Sequence, residues 1–109
     1  MLRTIAIALA LIAPTPVSAD FQTGNQLFSK CIAEGTTEPA FCLGYLAGVA
    51  DVMDVGNPVN RFRACVPGGV VMGQMKDIFV NALQRNPAER HYGAAGLAAS
   101  ALAGAFPCK

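Results

Sequence analysis

The sequence predicts an all-α protein: a small four-helix bundle, made of two antiparallel helical hairpins and stapled by two disulfides. Three observations point there. Long alternating runs of Val, Ile and Thr are missing, while Ala, Leu, Met and Gln recur throughout. Cap residues and Pro/Gly stops cut the chain into helix-sized pieces. Four cysteines, an even count in a chain of 109 residues, suit a small exported domain in an oxidising compartment.

The N-terminal residues read as a leader. Met1-Leu2-Arg3 gives a short positive start, Ile5 to Ala13 an apolar run, and Val17-Ser18-Ala19 small residues at a cleavage site. This pattern predicts a cleaved signal peptide over residues 1–19, one mature domain over 20–109, and a periplasmic location. The apolar run is shorter than the roughly 20 residues a spanning helix needs.

Within the mature chain, a first helix is expected from about Gly24 to Ala33, introduced by Thr23 with Gln26 three residues later, the form of a capping box. The second starts at Pro39, suited to a first helical position, and runs to about Val55 before Gly56-Asn57-Pro58. A polar loop then runs to Arg63. The third covers about Val70 to Arg85, with Val71, Met75, Ile78, Phe79 and Ala82 on one face and Gln74, Asp77, Asn81, Gln84 and Arg85 on the other. Asn86-Pro87-Ala88-Glu89 is the strongest start signal in the chain and opens a fourth helix that runs to about Ala105, where Pro107 stops it.

Four cysteines allow three pairings, and the helices favour one. Short connections make consecutive helices antiparallel. Cys31 at the end of the first helix then meets Cys42 in the first turn of the second. Cys65 before the third meets Cys108 after the fourth. Zinc is the rival use, but there is no Cys-x-x-Cys spacing and only one histidine. No cofactor is expected.

The second helix places Phe41, Tyr45, Val49 and Val52 on one side, with Gly44 and Gly48 beside them, and reads as buried and closely packed. The fourth carries Ala94, Ala98, Ala101 and Ala105 as one stripe. Both are apolar almost all round, more than a small domain can cover, so part of this surface should meet another protein chain. The small-residue faces of these two helices are the expected homodimer contacts. The loop from Gly56 to Arg63, with Asn57, Asn60 and Arg61, and the acidic edge Asp51 and Asp54 are the candidate partner-binding residues. A loop held at both ends by rigid elements enters a cleft at low entropic cost.

Other functions find little support. One of the eight basic side chains is Arg3 in the leader, so the mature chain balances its seven acids and carries no basic patch for nucleic acid or anionic membranes. His91 stands alone, the cysteines are spent as staples, and no Gly-x-Ser-x-Gly, phosphate loop or His-Glu-x-x-His occurs. No catalytic residue is expected, and the chain reads as a non-enzyme.

TGNQLFSKC, FCLGYLAGVADVM, the Cys-Val-Pro-Gly-Gly-Val segment, GQMKDIFVNALQRNPAERH and the closing ALAGAFPCK, in this order behind an exported start, resemble the Rap/Tai-type immunity proteins of bacterial type VI secretion. The resemblance spans about Phe21 to Cys108. It implies a small helical periplasmic protein, often a homodimer, that binds a secreted peptidoglycan amidase and occludes its active site. The alternative is a small periplasmic chaperone similar to the acid-stress protein HdeA; one histidine and seven acids give it only a modest acid trigger.

Overall fold

The computed structural model describes residues 21–109. The expected signal peptide over 1–19 lies outside the described residues. Among the described residues four helices occur in order, α1 (Gly24–Ile32), α2 (Thr37–Asp54), α3 (Met72–Arg85) and α4 (Ala94–Ala105), with a 3₁₀ turn at Pro87–Glu89. The described residues form no β-strand, only two isolated bridges. The two disulfides pair as the helix ends require, Cys31 with Cys42 and Cys65 with Cys108, each with Cα atoms 5.0 Å apart.

The capping box of α1 forms as its sequence indicates. Gln26 N–H donates to Thr23 Oγ1 at 3.2 Å, and Thr23 N–H donates to Gln26 Oε1 at 2.9 Å. Two of the helix's four orphan amides remain. Gly24 N–H donates to the Tyr92 carbonyl at 2.8 Å, and Asn25 N–H to the Arg90 carbonyl at 2.7 Å. The far end of the chain therefore completes the start of the first helix. Gly24 sits in the narrowest part of this junction. A Cβ there would meet the Leu97 side chain and lie 2.6 Å from the Arg90 carbonyl oxygen.

This junction corrects the expected fourth helix. The Asn86-Pro87-Ala88-Glu89 signal opens only the 3₁₀ turn, and α4 begins at Ala94. Carbonyls 90 and 92 serve α1, so they are withdrawn from any helical ladder through that segment. The Asn86 side chain does not cap the 3₁₀ turn. Its amide donates back to the Ala82 carbonyl at 2.9 Å and finishes α3. Smaller corrections lie at two starts. Helix α2 begins at Thr37, two residues ahead of Pro39, which costs no bond because first-turn amides have no intrahelical partner. Helix α3 begins at Met72, and Gln74 Oε1 accepts from Val71 N–H at 2.9 Å.

The core has two adjoining parts. One gathers Leu27, Cys31, Cys42, Leu46, Phe79, Leu83, Ala94 and Ala98; the other holds Ala50, Met53, Ala64, Met75, Ala99 and Leu102. Among the described residues no polar or charged side chain is buried. Helix α3 turns in the face its periodicity marks, except that Val71 is exposed. Helix α2 does not. Its buried line is Cys42, Leu46, Ala50 and Met53, set by the disulfide, while Phe41 and Val52 face solvent and Gly44 and Gly48 have open space above them. The α4 stripe is also reassigned: Ala94 and Ala98 lie in the fold's own core.

Candidate protein-binding surface

After α2 the chain crosses 17 residues before α3, long for a small domain. Gly56, at φ +83°, ends the helix. Arg63 Nη1 then donates to the Gly56 carbonyl at 2.9 Å and closes the base of the loop. Inside it Val59 and Phe62 exchange both backbone bonds, at 3.1 and 2.9 Å. Asn60 and Arg61 form the tip, both left-handed at φ +50° and +71°. Two central residues at positive φ mark a turn of the type I′ class. Asparagine tolerates that conformation; for arginine it costs roughly 1–2 kcal/mol. The turn is seated on α4: a Cβ at Gly96 would lie 2.5 Å from Asn60 Nδ2, so the glycine makes room for that carboxamide.

The expected partner-binding residues do not form one constellation. Asp54 and Asn57 share a hollow of about 330 Å³ with Arg63 and the exposed Cys65–Cys108 bridge. Asn60 lines a separate groove beside α4. Arg61 is exposed at the turn tip and lines neither. Asp51 is exposed on α2, one helical turn before Asp54, and lines neither cavity.

Phe62 and Tyr92, both exposed and both beside the turn, were not among the expected residues. Nothing in their spacing marks them, because the fold brings them together from either side of α3. The His91 ring lies against Tyr92, tilted by 47° with ring centroids 4.3 Å apart. No group of three or more His, Cys, Asp and Glu side chains among the described residues could hold a metal ion.

The family model of the Rap1a immunity proteins matches residues 23–108. The chain belongs to the Rap1a immunity protein family. The match starts at the α1 cap and ends at Cys108, so it takes in both disulfides and the whole bundle. No curated protein and no solved structure shows a significant match to the chain. For a Rap1a immunity protein the relevant surface is one that meets a toxin effector. The braced turn and the outer face of α2 both lie outside the core of this Rap1a-family bundle.

Proposed function

We propose that this protein is a periplasmic immunity factor of type VI secretion that binds a peptidoglycan amidase and blocks it sterically, performing no chemistry itself. The observation that carries the reading is the preformed Asn60–Arg61 turn on a chain of the Rap1a immunity family. A tip already locked into an unfavourable backbone conformation loses little entropy on entering a cleft. Asn60 and Arg61 supply the polar contacts of the tip, and Asn57, Asp54 and Asp51 add separate ones at the loop base and along the end of α2. The two disulfides fit an oxidising compartment, reached through the signal peptide at 1–19.

The test is capture of amidase effectors by the mature, oxidised protein, followed by a peptidoglycan hydrolysis assay. Capture with loss of hydrolysis is the expected result; failure to inhibit any amidase ends this reading. Arg61→Gly separates fold from binding. It relieves the left-handed arginine and is expected to raise stability by about 1 kcal/mol. It should weaken toxin binding by about 2 kcal/mol, roughly 30-fold, as for an arginine anchor. Unchanged affinity would remove the turn from the interface.

The outer face of α2 suits a homodimer. Phe41, Gly44, Gly48, Val52 and Val55 recur along it, and no neighbour covers the two glycines. Gly48→Arg is expected to leave the fold intact and convert a dimer to a monomer in sedimentation velocity. A wild-type protein that sediments as a monomer at all concentrations would exclude this pairing.

A further inference from the structure

The groove beside the turn has a chemistry distinct from that of the turn itself. It encloses about 630 Å³ between the Val59–Phe62 segment and the N-terminal half of α4. Phe62 and Tyr92 contribute aromatic surface, Leu97 an apolar wall, and Asn60 and Ser100 polar groups. Glu89 is the single charged side chain among the described residues that line it. Its carboxylate takes no side-chain hydrogen bond or ion pair among the described residues. Arg90 is committed elsewhere, since Nε donates to the Leu83 carbonyl at 2.8 Å and the guanidinium lies 4.6 Å from the centre of the Phe28 ring, and Arg85, which shares an adjoining hollow with Glu89, makes no ion pair with it.

An exposed carboxylate with no ion-pair partner, lining the same groove as two exposed aromatic rings, is an arrangement suited to a cation. The rings offer negative faces, the carboxylate a full charge, and the apolar wall takes the aliphatic stem. We propose that this groove receives a lysine or arginine side chain of the toxin. The toxin as occupant rests on the immunity reading above, whereas the cation preference rests on the groove alone. The turn and the groove then act in opposite senses, one projecting into the partner and the other accepting from it. Such reciprocal contacts fix register.

Two measurements separate the inference from the reading beneath it. The oxidised full-length mature protein is titrated with N-acetyl-arginine methylamide while its backbone amide resonances are followed. Saturable shifts at Gly93, Gly96 and Ser100 are expected, absent with the neutral N-acetyl-norleucine methylamide and lost in Glu89→Gln. Equal shifts with the neutral probe, no saturable shift, or shifts that survive Glu89→Gln overturn the proposal. Capture of toxin by wild type and Glu89→Gln is then compared. A tenfold or greater loss in the variant supports the groove as a toxin contact, and equal capture overturns that role. If wild type captures no toxin, the immunity reading fails, and the probe titration still decides the groove's cation preference.

Discussion

Phe79→Ala is expected to lower the stability of the oxidised protein by about 3–5 kcal/mol. Phe79 is the largest fully buried side chain among the described residues, 1% exposed, and it packs from α3 in one cluster with Leu27, Leu46 and Ala98 of the other three helices. Truncation removes apolar burial and leaves a void that the disulfide-fixed hairpin cannot close by shifting. A domain of this size holds on the order of 5–10 kcal/mol in total, so the variant sits near the limit of folding. Urea denaturation reads the effect as a large fall in midpoint. Val71→Ala is the control: it also removes an apolar side chain close to α3, but Val71 is 59% exposed, and a change within about 0.5 kcal/mol is expected. Equal midpoints for the two variants would show that the α3 face does not hold the bundle.

The two disulfides are expected to separate under mild reduction. Cys31 and Cys42 are buried among core side chains, at 4% and 0% exposure, whereas Cys65 and Cys108 are both exposed. A thiolate reductant reaches the second bridge without unfolding the protein and the first only after opening it. Alkylation at rising dithiothreitol should therefore label Cys65 and Cys108 first. The intermediate should be much less stable. The Cys65–Cys108 bridge spans 43 residues, against 11 for the other. In the loop-closure account these correspond to about 4 and about 3 kcal/mol. Loss of the longer one should lower Tm on the order of 20 °C. Simultaneous labelling of all four cysteines would mean that the exposed bridge cannot open alone.

Features decided within a few residues were legible in the sequence. The Thr23–Gln26 capping box is a four-residue signal, and it forms as read. The disulfide pairing needed only the helix ends and the shortness of their links. The buried face of α3 was legible because its polar and apolar residues alternate at helical spacing. Helix α2 offers no such contrast. With apolar residues all round, the line through Phe41 and Tyr45 looks as buried as the line through Cys42 and Leu46, and tertiary packing alone chose between them. The fourth helix was misplaced for another reason. Its local start signal is genuine, but carbonyls 90 and 92 are claimed by α1, a demand with no local trace. The loop from Gly56 to Arg63 was legible as a polar connection between the second and third helices. Its internal turn was not, because an arginine at φ +71° contradicts ordinary preference. Glu89, Phe62 and Tyr92 share a groove only through the packing of the loop on α4.

The junction between Gly24, Asn25 and carbonyls 90 and 92 also imposes an order in time. A chain is made from its N-terminus, so α1 emerges first while its final amide partners emerge nearly last. Until they arrive, two donors at the head of the first helix can be satisfied only by water. Closure depends on contacts between the two extremes of the domain, the kind that slows a search. The start of α1 thus stays unfinished until residues 90 and 92, most of a domain later, are available.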